Sequence, residues 1–250
     1  MNVLKRVKDF LGSQDGPEDF GIVSVAPRSQ QETMLRCSSV LKNPGSLALA
    51  NVISGEVARL VCLEFASEIS GSKRAEYLNS QYKKLLPRLR EITEGCAGLG
   101  GVVLKPYVSG GGIEVTCVTP DMFVPTEISA DGSVVGGVFM DRITRDGKIY
   151  TRLESHGFSA GEYVIENKCF VSDRFAGGGK EIPLGMVKEW RSIKPRVTVT
   201  GLSKPLFAYF KMPSSIRDLP LGEPIFAKSV KLIADAEKQY SRLLWEFESG

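Results

Sequence analysis

His156 is the only imidazole in the 250-residue chain, so any Ser-His-Asp or Cys-His arrangement would have to use it. It lies in the strand-like run TRLESHGF, two residues beyond Glu154, and a hydrolytic site would need it as a base oriented by a carboxylate such as Glu154 or Asp141. Nothing in their spacing separates these carboxylates from the charges of an ordinary sheet face. The pattern therefore predicts a half-exposed structural histidine and solvated acids, and a hydrolase ranks last among the functional readings. Two glycine-rich stretches invite a phosphate-loop reading, Ser109-Gly110-Gly111-Gly112 and Gly177-Gly178-Gly179-Lys180. The second fails the spacing, because Arg174 stands where the first glycine belongs and Glu181 follows the lysine where Ser or Thr is required. Both read as turns.

The five cysteines, Cys37, Cys62, Cys96, Cys117 and Cys169, are widely spaced, mostly among apolar neighbours and without a CxxC pair. With a single histidine beside them they read as reduced packing residues, and neither a zinc site nor any cofactor site is expected. Basic residues cluster at Lys73, Arg74, Lys83, Lys84, Arg88 and Arg90. Of these, Lys83, Lys84, Arg88 and Arg90 form a candidate basic strip for nucleic acid. Aromatic interleaving is limited to Tyr77 and Tyr82, so a solvated helix face is the preferred reading. The overall charge of +3, from 32 basic and 29 acidic side chains, is too balanced to announce a nucleic-acid binder.

The elements that would carry these residues follow from periodicity. Met1 to Leu11 sets Val3, Leu4, Val7, Phe10 and Leu11 on one helical face, and the Gly-, Pro- and acid-rich stretch that follows reads as an arm. From Ser46 to Ile69, Leu49, Val52, Ile53, Val57, Leu60, Val61 and Phe65 predict a wide buried stripe on a central core helix. A second helical tract starts near Lys73 and is expected to kink or split at Pro87. Between Leu99 and Val171 the period falls to two in GVVLKPYV, GIEVTCV, SVVGGVFMDRI, KIYTRLESHGF and EYVIENKCFV, each followed by turn chemistry. These runs predict an antiparallel meander of about five strands. Phe170 to Trp190 reads as a long connection, with further strands at Arg196–Gly201 and Leu206–Lys211. Helices, sheet and a last helix in that order give an α+β class. No charged leader with an apolar run and no uninterrupted apolar stretch near ~18 residues is present, which favours synthesis in the cytoplasm.

The last helix is the most informative element. Phe226, Val230, Ile233, Glu237, Tyr240, Leu244 and Phe247 alternate by four and three, a heptad-like seam with one polar interruption, Glu237, as its register-setting position. Running to Glu248, such a helix would be on the order of 35 Å long. Pro224 suits its first turn, Gly222 its entry and Gly250 a C-cap. The organisation expected is an N-terminal helix and arm over 1–45, an α+β domain over 46–224 and the long helix over 225–250.

The blocks SEISGSKRAEYLNSQYKKLLPRLRE, GGVVLKPYV, TPDMFVPTEISADGSVVGGVFMDRIT, IYTRLESHGF, YVIENKCFVS, KPLFAYFKMP and SVKLIADAEKQYSRLLWEFESG resemble consecutive segments of tailed-bacteriophage portal proteins of the type found in phages and prophages of Gram-positive bacteria. LFAYFKMP and QYSRLLWEFE are the most distinctive. The resemblance implies a non-enzymatic subunit of a ring of about twelve at the portal vertex of the virion, assembled in the host cytoplasm. Its implied partners are other copies of itself, major capsid and scaffolding proteins, the terminase that supplies the ATPase, head-tail connector proteins, and double-stranded DNA passing through the channel; no membrane is implied. Family members continue past the WEFE-like segment into stem, clip and crown. By that comparison the chain corresponds to the wing and the helix leading toward the stem, as an N-terminal fragment or a prophage remnant, and no DNA-lining or terminase-contacting residue can be carried over. A stand-alone nucleic-acid-binding α+β module is the alternative. On the seam reading, Leu244→Asp should damage folding or assembly, whereas His156→Ala should do little.

Overall fold

The computed structural model describes residues 47–173, 179–213 and 222–249. The N-terminal helix and arm expected over 1–45, Gly177 and Gly178 of the second glycine-rich stretch, and the Gly250 cap lie outside the described residues. The class is α+β, with helices, antiparallel strand pairs and a long final helix. Two compact units emerge. Of the described residues, Pro120–Ala208 form the first, and the second holds those from 47 to Thr119 together with those from Tyr209 onward.

In the second unit, helix α1 (Leu49–Cys62) is followed by α2 (Lys73–Tyr82) and α3 (Leu89–Leu99). The helical tract breaks at Pro87, inside a single 3-10 turn over Leu86–Arg88, because proline lacks the N–H that a continuous helix would use there. Ser72 caps α2, its hydroxyl accepting the Ala75 N–H at 3.2 Å. Strands β1 (Gly101–Ser109) and β2 (Gly112–Val118) form a hairpin whose turn, Gly110-Gly111, has both residues at positive φ. Their sheet is completed, beyond β1, by a short strand near the end of the chain, Ala208–Lys211.

The first unit is built on a meander: β3 (Phe123–Ile128), β4 (Val134–Arg145), β5 (Lys148–Ser159) and β6 (Glu162–Ser172). Two short strands, β7 (Lys180–Ile182) and β8 (Arg196–Val199), share the outer edge of β6. The Ala208–Lys211 strand that pairs with β1 is thus β9. Asn167 fills the gap that β7 and β8 leave on that edge. Its N–H donates to Pro195 O at 2.7 Å, its Nδ2 to Lys194 O at 3.1 Å, and its Oδ1 accepts from Arg152 at 3.1 Å. The Asn167 N–H, between the two short strands, is thus paired with a backbone carbonyl of the segment that joins them.

Three expectations are corrected. The five predicted strand runs do not make one meander; the first two belong to the sheet of the second unit and the last three to the sheet of the first. The long connection after Phe170 contains β7 and two 3-10 turns, Leu184–Met186 and Lys188–Trp190, whose Leu184, Val187 and Trp190 pack on Cys169. Nor is α1 buried along its large-residue stripe. It buries Ala50, Ser54 and Ala58, and leaves Val52, Ile53, Leu60 and Val61 exposed. Small side chains allow a neighbouring helix to come close, and α3 offers a matching face at Thr93, Cys96 and Ala97.

Candidate functional site

Two regions carry the residues of interest, one in each unit. In the first unit, β5 alternates Arg152, Glu154 and His156 on one face of the sheet. Pairing with β4 puts Asp141, Phe139 and Gly137 opposite them, and β6 contributes Cys169, Asn167 and Ile165. The half-exposed histidine expected from the sequence is only 2% exposed. Both ring nitrogens are engaged: Nδ1 lies 2.9 Å from Tyr163 Oη and Nε2 lies 2.7 Å from Glu154 Oε1. Glu154 is buried too, and its other oxygen meets Arg152 at 2.9 Å. The paired carboxylates are therefore not simply solvated: Glu154 is enclosed, and Asp141 accepts the Trp190 indole N–H at 3.1 Å with Arg152 at 3.6 Å.

Tyr163 Oη accepts the Leu206 N–H at 3.0 Å and faces His156 Nδ1, while His156 Nε2 faces Glu154. Burial pushes the Tyr163 phenol up to about 12, which keeps it a donor at neutral pH. Around this chain stand aromatic rings. Phe139 and Phe207 lie edge-on to the imidazole at 5.0 and 5.9 Å between centroids, and Phe123 meets Phe139 at 4.9 Å. Gly137 makes the last contact possible, since a Cβ there would collide with the Phe123 ring. The arrangement encloses the imidazole and holds the segment at Leu206 and Phe207 on the sheet. Chemically it resembles a structural polar network, with each named group answered by another.

In the second unit the long helix begins with a 3-10 turn over Ala227–Ser229 and continues as α4 (Val230–Ser249). Gly222 precedes it at a point where a Cβ would strike the carbonyl oxygens of Gly100 and Met212, so glycine is required there for close approach. The predicted seam divides in two. Phe226 and Ile233 are buried against Ala50 of α1, with Val230 packed on the same cluster and Tyr240 half-buried. Beyond Tyr240 every residue from 241 to 249 is exposed, Leu244 and Phe247 among them. Glu237 sits at the boundary, 5% exposed, and its Oε1 has no hydrogen-bond partner among the described residues.

The candidate basic strip is not a strip of unengaged cations. Arg88 donates to Val115 O at 3.0 Å, and Lys84 donates to Gln81 Oε1 at 2.9 Å, the same oxygen that accepts the Ile113 N–H at 3.2 Å. Gln81 and Arg88 thus cover the outer edge of β2 by satisfying its backbone. Lys83, in the turn after α2, and Arg90, on α3, remain exposed, Arg90 near enough to Glu56 to help lower its pKa.

Cys62, Cys96, Cys117 and Cys169 are free thiols, and burial pushes Cys96 up to about 12 and Cys169 up to about 11. Among the described residues, no group of three His, Cys, Asp or Glu side chains could hold a metal ion, and no helix is long and apolar enough to cross a membrane. Sequence reasoning missed Tyr163 and Asn167. Tyr163 in EYVIENKCF carried the signal of an aromatic on a strand but nothing of its partner seven residues upstream. No protein-family model matches the chain, and no curated protein matches it.

Proposed function

We propose that the chain is a structural, non-enzymatic subunit of the phage portal type, the wing region with the helix that leads toward the stem. Its role is assembly with other copies of itself into a ring of about twelve at the portal vertex, a closed cyclic arrangement of one repeated contact. Capsid, scaffolding, terminase and connector proteins would be the partners of that ring, and double-stranded DNA its cargo. The observation that carries the reading is the division of α4: Phe226 and Ile233 are packed on α1, while Leu243, Leu244, Trp245 and Phe247 stand exposed on the same helix. An exposed apolar stretch of this kind marks an interaction surface. The ordered run of blocks that resemble portal segments supplies the identity of the assembly, and the histidine network, with its groups turned toward one another, is consistent with a part that does no chemistry.

The alternative, a nucleic-acid-binding module, loses support from Arg88 and Lys84, which are spent on the edge of β2 and on Gln81. Light scattering of the purified chain, with negative-stain images of the same fraction, tests the proposal. Closed rings of about twelve subunits with a central opening are the expected result. A monomer at every concentration would remove the claim that this chain alone forms a channel.

A further inference from the structure

The main sheet of the first unit is enclosed on both faces, but its two faces differ in what encloses them. On the face that carries Arg152, Glu154 and His156 the covering layer is in view: Leu184, Val187 and Trp190 pack on Cys169, and Phe207 meets Phe139 and His156. The opposite face is formed at its centre by Val138 and Met140 of β4 with Ile149, Thr151 and Leu153 of β5. It is as deeply buried, with Leu153 at 0%, Val138 at 1% and Thr151 at 2% exposure. Among the described residues, the partly buried apolar groups packed on that centre are Val124 and Phe170, from strands of the same sheet, and Met122, from the turn before β3. Neighbours within a sheet stand side by side and leave the outer ends of central side chains open, so burial to 0% requires a layer above them. Met122 alone is too small to roof five residues on two strands.

The rest of the cover has to come from chain outside the described residues. The segment 174–178 reads RFAGG and offers one large apolar side chain. The segment 214–221 contains Pro220 and joins two parts of the second unit. Within the first 46 residues, Gly12, Gly16, Pro17, Gly21 and Pro27 interrupt the middle, and the last part is continuous with α1 of the second unit. Residues 1–11 contain neither Gly nor Pro and set Val3, Leu4, Val7, Phe10 and Leu11 on one helical face. The sizes agree: such a helix is about 16 Å long, against about 20 Å of β5 from Ile149 to Ser155. We propose that residues 1–11 form an amphipathic helix that docks, within its own chain, on the sheet face made by Val138, Met140, Ile149, Thr151 and Leu153. The helix closes the core of the first unit as its third layer. The inference concerns that unit alone and does not depend on the subunit reading.

The test places one thiol on this face by Met140→Cys and compares its pulsed alkylation, read by mass spectrometry, with that of Cys169 on the opposite face. In the full chain both should react slowly. Removing residues 2–11 should speed labelling at position 140 by about tenfold or more and leave Cys169 within about twofold. Unchanged protection at position 140 in the shortened chain overturns the inference. Should the shortened chain unfold and expose both thiols, single substitutions in the full chain decide. Val7→Ser and Phe10→Ser should then speed labelling at position 140 severalfold, whereas Lys5→Ser, on the far side of the helix, should not. Equal responses to Val7→Ser and Lys5→Ser overturn the inference. Labelling of the full chain that quickens on dilution would show that a second copy covers the face, and overturns it as well.

Discussion

The two units connect their buried polar groups to different degrees. In the first, Arg152, Glu154, His156 and Tyr163 are enclosed together and joined by hydrogen bonds, with Arg152 Nε alone among their buried side-chain polar atoms left without a partner among the described residues. In the second, Glu237 is enclosed at the end of an apolar seam with one oxygen unanswered, and the apolar surface continues past it into solvent. A satisfied network fixes one arrangement of its strands, because any shift leaves a desolvated group unpaired. An unsatisfied carboxylate beside an uncovered face does the reverse and leaves stability unrealised within the monomer.

The largest effect expected from breaking this contrast comes from the network. His156→Ala strips Glu154 and Tyr163 of a partner at once and opens a cavity between Phe139 and Phe207, so it should cost the first unit about 3–4 kcal/mol. This reverses the mild effect expected from sequence, where the residue read as half-exposed. Trp190 is buried beside the network, with Arg152 5.9 Å from its ring, and it reports on the first unit once the exposed Trp245 is replaced by Phe. Urea unfolding followed by Trp190 fluorescence in that background gives the number. A loss under about 1 kcal/mol would mean that the network is not what holds these strands.

A middling effect separates the two faces of α1. Ala58 is fully buried where α1 meets α3, so Ala58→Leu should force the helices apart and cost about 1–3 kcal/mol. Leu60, two residues on and 55% exposed, should tolerate Ala within about 0.5 kcal/mol while weakening association. Equal losses of monomer stability from both substitutions would show that the outer face is covered within the chain.

That pair also shows where sequence reading succeeds and fails. The helices and the break at Pro87 were legible, since period and proline chemistry are local properties. The face of α1 was not, because an apolar stripe weights large side chains and is blind to close packing through Ala50, Ser54 and Ala58. Strand β3 escaped notice because Pro125 and a register shift after it disguise the alternation of FVPTEI. The environment of His156 was invisible for another reason. Its partner Tyr163 comes from the next strand of the sheet, and the Leu206 N–H that orients Tyr163 comes from 43 residues further along. The seam of α4 was readable as a pattern, but which half would find cover inside the chain depended on how far α1 extends beside it.

The smallest effect has the opposite sign from the others. Replacing Glu237 by Leu removes a buried carboxylate that lacks a full set of partners and sets an apolar side chain between Ile233 and Tyr240. Burying an incompletely paired charge is unfavourable, and its apolar replacement is commonly neutral or stabilising, so Glu237→Leu should stabilise the second unit by about 1 kcal/mol. Cys96, buried in that unit, supplies the measurement: its rate of pulsed alkylation across a urea series follows opening of the second unit, as Cys169 follows the first. The midpoint for Cys96 should rise in the variant while that for Cys169 stays where it was. Should Glu237→Leu instead destabilise, the carboxylate is answered within the folded chain, and the contrast between a closed network and an open seam loses its second half.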